Sequence, residues 1–183
     1  MKKALMIFTL VAMAAGVQAQ NIFLATGGKV SLFSSTPLEN IDATTESATS
    51  VITTSTNGIQ FTVPMRTFKF KKSLMEEHFN EKYVESEKFP KSTFKGKINE
   101  AINWNRDTVA TVTATGDFFL HGVTKQRTET GKLTIKDGKI YLDISFNVLL
   151  KEYEIEVPKV VTQSVAESIS INGSFTYNVY QKK

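Results

Sequence analysis

The stretch SLMEEHFNEKYVESEKFPKSTFKG, Ser73 to Gly96, joins the one convincing helix pattern of the mature chain to a Phe-Pro turn and the start of a strand. Leu74, Met75, His78, Phe79, Lys82 and Tyr83 recur at three- and four-residue spacings, an apolar stripe interrupted at Lys82. Ser73 followed by Glu76 fits a capping box, and Glu76 and Glu77 suit the positive end of a helix dipole. Pro90 ends the segment, after which Thr93 to Ile98 reads as strand. Almost everything else beyond residue 20 has the periodicity of strands. A lone helix feeding a strand in such a chain covers either a sheet face or the mouth of a barrel. Whether the covered space is filled or open is the functional question.

Working outward, the long strands alternate cleanly. Ala110, Val112, Ala114, Gly116, Phe118 and Leu120 share one face, as do Ile140, Leu142, Ile144, Phe146 and Val148. Ile169, Ile171, Gly173, Phe175, Tyr177 and Val179 repeat the pattern near the C-terminus. Apolar residues at every second position mark strands with one wet and one dry face, and their length suits the tilted strands of a barrel. Asn57-Gly58 and Asp137-Gly138 predict tight hairpins with both residues at positive φ, and Gly122 predicts a third turn. Asn21 to Phe33 reads as one or two strands broken at Gly27-Gly28, Thr36 to Glu39 as a loop, and Lys159 to Ala166 as a short helical turn. Residues 42–50, rich in Thr, Ser, Ala and Glu, fit an exposed strand or connector better than a core element. One strand breaks the rule. If Leu133 and Ile135 face inward, unbroken parity sends Lys125, Arg127 and Glu129 inward too. The expectation is a β-bulge near Gly131 that resets the register; the alternative is a polar interior near one end.

Lys2 and Lys3 precede an apolar run from Ala4 to Ala15, and Val17-Gln18-Ala19 places small residues where a signal peptidase reads. Residues 1–19 are read as a cleaved signal peptide and residues 20–183 as one domain, secreted, with the periplasm of a Gram-negative cell as its compartment. The run is short for a membrane span and no second hydrophobic run follows it, so the mature chain is expected to carry no transmembrane segment. Without Lys2 and Lys3 the 22 basic residues fall to 20 against 18 acidic ones, and no Lys/Arg face stands out, which argues against nucleic acid. The chain has no cysteine, hence no disulfide, thiol nucleophile or thiolate metal site.

Enzyme chemistry finds little footing. There are two histidines, His78 and His121, and no nucleophile elbow, phosphate-binding glycine loop or paired metal-ligand spacing. His78 with Glu77 and Glu81 imitates a metal cluster but lacks a second nitrogen ligand, and reads as a solvated helix flank. His121 beside Gly122 reads as a turn residue. No catalytic residue, metal or cofactor is expected. Thirteen phenylalanines against one tryptophan are a heavy apolar load. Periodicity alone favours an ordinary packed core, but the small residues Ala110, Ala114 and Gly116 on an inward face leave space that Leu or Ile would fill, as in a barrel holding an apolar ligand.

Two motifs carry a resemblance. Glu77-His78-Phe79 followed by Tyr83 to Pro90 and Phe94-Lys95-Gly96, and then Gly116 to Lys125 (GDFFLHGVTK), resemble in sequence and order the two motifs of the YceI-like family. The similarity spans essentially the whole mature chain. It departs from better-known members where their Phe-x-x-x-His stretch is replaced by Val63 to Phe70. The resemblance implies a mainly β fold, an antiparallel lipocalin-like β-barrel with one helix covering an end or side, that binds an isoprenoid or other amphiphilic lipid. It also brings the expectation of a homodimer. The apolar lining is expected from Phe68, Phe70, Leu74, Phe79, Phe94, Phe118, Leu120, Leu142, Ile144 and Phe146, with Arg66, His78 or His121 meeting a headgroup at the mouth. The competing expectation is a packed barrel that binds a partner protein and no small molecule.

Overall fold

The computed structural model describes residues 22–157 and 165–180, so the expected leader and most of the turn from Lys159 to Ala166 lie outside the described residues. Nine strands occur among them: β1 (Ile22–Ser35), β2 (Asn40–Thr53), β3 (Gly58–Pro64), β4 (Lys69–Phe70), β5 (Lys91–Ile98), β6 (Thr108–Leu120), β7 (Val123–Lys136), β8 (Lys139–Leu149) and β9 (Ser168–Val179). All pairings are antiparallel, and eight strands follow one another around a ring that closes where β1 pairs with β2. The two-residue β4 adds to the upper end of β2, with Ala43 opposite Phe70. The fold is therefore an up-and-down barrel of eight strands, which leaves no long free edge except where two neighbours part company.

The turn residues distribute the chain between the two ends. Asp137 and Gly138 both have positive φ (50° and 73°) and join Lys136 to Lys139 in the expected two-residue turn. His121 and Gly122 do the same between Leu120 and Val123, with φ of 49° and 81°. Asn57-Gly58 differs from expectation. The loop runs from Thr54 to Asn57, only Asn57 has positive φ (53°), and Gly58 is already the first residue of β3. Asn57 is instead recruited by the next layer: its Oδ1 accepts from Trp104 Nε1 at 3.0 Å and its Nδ2 donates to the Glu100 carbonyl at 3.0 Å. The 99–107 loop is thereby tied across that end of the barrel.

This end is packed solid. Ile52, Leu133, Ile140 and Tyr177 are wholly excluded from solvent, and Phe175 nearly so. Residues 42–50, expected as an exposed strand or connector, are a strand with a buried face that runs the length of the barrel: Ala43, Thr45, Ala48 and Ser50 are buried. Two features hid it. β1 shifts register against β2 around Gly28, which breaks the alternation, and the inward residues are small. The space they leave is taken by Phe175 from β9, whose ring occupies the place that a Cβ on Gly28 would need.

The opposite end carries the helical segment. α1 (Ser73–His78) runs directly into a π-helical turn (Phe79–Tyr83) that closes with Val84 N–H donating to the Phe79 carbonyl at 2.9 Å. The expected capping box does not form. Lys72 is the N-cap, and Glu76 turns away to accept from Lys69 Nζ at 2.6 Å and from the Phe70 N–H at 3.3 Å. Its carboxyl is held below the ordinary value chiefly by the Lys69 hydrogen bond. Lys72 Nζ meets Glu39 at 2.6 Å and Lys71 Nζ meets Asp42 at 3.5 Å, so the helix start is moored to the loop and strand beside it.

Candidate functional site

Between the packed end and the helical segment lies a cavity of about 500 Å³, within the range of sites that hold small molecules. The upper half of the barrel is hollow, unlike the uniformly packed core that periodicity alone favoured. The cavity is lined almost entirely by carbon. Val30, Leu32, Ile59, Phe61, Val112 and Phe175 supply much of the strand wall in addition to the residues expected from sequence.

All ten residues expected as apolar lining border this one space. Phe118 and Leu120 come from β6 and Leu142, Ile144 and Phe146 from β8, on either side of β7, and Phe94 from β5. Phe68 and Phe70 lie beside the helix, where Phe79 packs against both rings with centroids 5.5 and 5.0 Å apart. Offset and edge-on ring contacts of this kind are favoured by the ring quadrupoles. Leu74, Met75, His78, Phe79 and Tyr83 all face the cavity, so the apolar stripe read from spacing points into the barrel mouth. Leu74 remains 58% exposed, which places it on the rim. Burial raises the Tyr83 hydroxyl above its ordinary pKa, in keeping with its place on an apolar wall.

The three polar residues expected at the mouth separate. His78 borders the cavity. Arg66 points into solvent and pairs with Glu87 at 2.7 Å, away from the cavity lining. His121 is a clasp. Its Nδ1–H donates to the Tyr153 carbonyl at 3.0 Å, its Nε2 meets Glu85 Oε2 at 2.8 Å, and Phe89 stacks edge-on against its ring. The imidazole thus ties the β6–β7 turn to two other loops at the open end, outside the cavity lining. Among the described residues no three His, Asp or Glu side chains converge as a metal site, and Glu77, His78 and Glu81 do not form one.

What the sequence reading set aside is the polar stripe of β7. No bulge occurs at Gly131: β7 pairs with β6 without a break from Leu120–Val123 to Thr108–Ile135. Parity holds, and Arg127 and Glu129 border the cavity. The register survives because something else gives way. β7 and β8 pair only from Gly131–Ile144 downward, although both strands continue upward. Arg127 sits in the resulting window. Its Nε donates to Glu129 Oε1, its Nη2 donates across the gap to the Asn147 carbonyl at 2.7 Å, and its guanidinium lies 5.9 and 5.4 Å from the ring centres of Phe118 and Phe146. Burial opposes its charge, but the neighbouring Tyr153 hydroxyl and Glu129 carboxylate outweigh that and hold the guanidinium pKa above its ordinary value. The signal was in the sequence as the unbroken alternation of Lys125, Arg127 and Glu129. A bulge was the wrong repair.

The family model described as YceI-like domain matches residues 16–177. A polyisoprenoid-binding domain from Saccharophagus degradans, implicated in plant cell wall breakdown, superposes with a TM-score of 0.71 at 12% identity, covering 88% of this chain and 99% of its own. BcnA of Burkholderia cenocepacia gives 0.68 at 15% identity, covering 81% and 95%. The YceI protein of Campylobacter jejuni gives 0.58 at 14% identity, covering 76% and 85%. No curated protein sequence matches the chain.

Proposed function

Because this chain belongs to the YceI-like family, we propose that it is a lipid-binding barrel that holds a long apolar chain, an isoprenoid or similar amphiphile, in its interior. The observation that carries the reading is the cavity: about 500 Å³ of carbon-lined space inside a domain whose other end is close-packed. A void of that size leaves its walls without van der Waals partners, a cost that a fitted apolar chain removes. Each methylene transferred from water contributes ~0.8 kcal/mol before the ordering of the chain is counted. The lining residues named from sequence, Phe68, Phe70, Leu74, Phe79, Phe94, Phe118, Leu120, Leu142, Ile144 and Phe146, supply the wall, with His78 at the mouth. The likeness to the Saccharophagus degradans domain supports the ligand class through its fold.

The protein works by burial and performs no reaction in this reading. We place it in the periplasm of a Gram-negative bacterium after removal of residues 1–19. Among the described residues no helix is long and apolar enough to cross a membrane.

Organic extraction of purified protein followed by mass spectrometry tests the reading. A stoichiometric chain-bearing lipid is expected in wild type and is lost in Phe118→Glu and Phe146→Glu variants that still give a folded circular dichroism spectrum. A barrel that is empty as purified and also refuses added prenyl alcohols overturns it.

A further inference from the structure

The window between β7 and β8 holds a polar group in an otherwise apolar chamber. It is set deep in the wall, away from the mouth: Arg127 lies level with Gly116 of β6 and, one strand further, Gly96 of β5. Thr130, Gly131 and Ile144 border both the interior cavity and a groove on the outer surface, so the wall is thin at this point. An ion pair of this kind, with its side chains 20% and 22% exposed, stabilises a fold little, because desolvation and solvent screening cancel most of the attraction. Its presence beside a ligand cavity therefore asks for another reason.

The atoms supply one. A guanidinium has five N–H donors. The Glu129 carboxylate and the Asn147 carbonyl are met by Nε and Nη2, and no described residue gives Nη1 a partner at hydrogen-bonding geometry. Beside it the Tyr153 side chain is wholly buried outside the cavity lining, packed edge-on against Phe118 at 5.4 Å, and its hydroxyl neighbours the guanidinium from behind the wall without a hydrogen bond of ordinary geometry. Of the two groups only the guanidinium borders the chamber, next to Phe118, and it keeps donor capacity there. The guanidinium lies beside the contacting Phe118 and Phe146 rings, 5.9 and 5.4 Å from their centres, and the two ring contacts restrict its motion.

The geometry points to a specificity site at Arg127 and Glu129 that receives a neutral oxygen of the ligand, a hydroxyl or carbonyl, with the polar group of the lipid carried inside the barrel wall. This inference rests on the lipid-binding reading and adds the headgroup class and its position. The choice of a neutral group follows from Glu129. Its carboxylate already offsets the arginine charge, and a phosphate or carboxylate on the ligand would bring a second negative charge beside it in a partly desolvated wall. A neutral oxygen accepts from the guanidinium without that repulsion.

Geranylgeraniol and geranylgeranyl monophosphate share one chain and differ only in the polar end, and the dye N-phenyl-1-naphthylamine reports apolar space without a matching oxygen. Wild type is expected to bind the alcohol at least tenfold tighter than the phosphate. Glu129→Gln keeps the side-chain shape and removes the charge, and should shift that ratio at least tenfold toward the phosphate. Arg127→Gln should weaken the alcohol about tenfold while dye binding holds. If Arg127→Gln does not fold, the Glu129→Gln ratio decides alone. An unchanged ratio in Glu129→Gln with normal dye binding overturns the specificity site and leaves the lipid container standing. Failure of wild type to take up dye or either lipid overturns both.

Discussion

Tyr177 shows how much a single residue does at the packed end. Its hydroxyl lies 2.7 Å from Ser50 Oγ, and Ser50 in turn donates to the Gln60 carbonyl at 2.9 Å, so Tyr177 is the donor to Ser50. Burial pushes the hydroxyl pKa well above its ordinary 10.0, against a smaller opposing effect from the Ser50 hydrogen bond. The sign of the pH dependence follows. Above about pH 10 the unfolded chain loses this proton while the folded one keeps it, so stability present at lower pH is lost as pH rises, at up to ~1.4 kcal/mol per unit. Tyr177→Phe should cost about 1 kcal/mol at neutral pH and remove that contribution to the alkaline slope, measured by urea unfolding between pH 7 and 11. An identical slope in the variant would show that other groups set it. Gly116 makes a second residue-scale case. A Cβ there would fall on the backbone of Lys95 and Gly96, which cannot swing aside as a side chain would. Gly116→Ala should destabilise by about 2 kcal/mol through overpacking, seen as a lower urea midpoint. Gly116 was legible only as a small inward residue; the close approach of two strands that demands it was not.

At the scale of elements, the helical segment was legible as a helix and as a cover, because its stripe depends on residues three and four apart. Its start was misread. Ser73 and Glu76 have the spacing of a capping box, but a lysine and a free N–H lie within reach of Glu76 on β4, and a charged partner outcompetes a backbone cap. The π turn from Phe79 to Tyr83 has no sequence signature; it is adopted where it swings Phe79 onto Phe68 and Phe70. Phe79 is only half-buried, so Phe79→Ala should cost less than the ~3–5 kcal/mol of a core phenylalanine, about 2 kcal/mol. The loss should be local, read as faster amide exchange at Ser73–Tyr83 with the strands unaffected. Equal acceleration throughout the barrel would mean that the cover is part of the core and not a separable lid. The same reasoning explains β7. Alternation is a property of one strand and correctly put Arg127 inward, whereas whether the strand's neighbour follows it is a property of two, and β8 turns away above Ile144.

For the whole molecule the asymmetry between a filled end and a hollow end decides function. Ala114 is a small residue on the cavity wall, between Val112 and the Gly116 level. Ala114→Phe should consume part of the chamber, shorten the longest prenyl alcohol retained, and leave the shortest bound as in wild type, measured by competition across a series of chain lengths. An unchanged length limit would place the chain elsewhere.

The sequence by itself determined the barrel: two-residue periodicity in long strands, turn residues between them and a single amphipathic helix leave few other arrangements, and these are local properties of the chain. It also placed Phe118, Leu120, Leu142, Ile144 and Phe146 on inward faces, since facing inward along a strand is a matter of parity, and Leu74 and Phe79 on the apolar stripe of the helical segment. Only the tertiary structure decided that the inside is open at one end, that Phe175 fills the space left by Gly28 and the small residues of β2, and that Arg127 occupies a gap between strands that no longer pair. Volume and strand separation are sums over side chains distant in sequence, and no local pattern carries them.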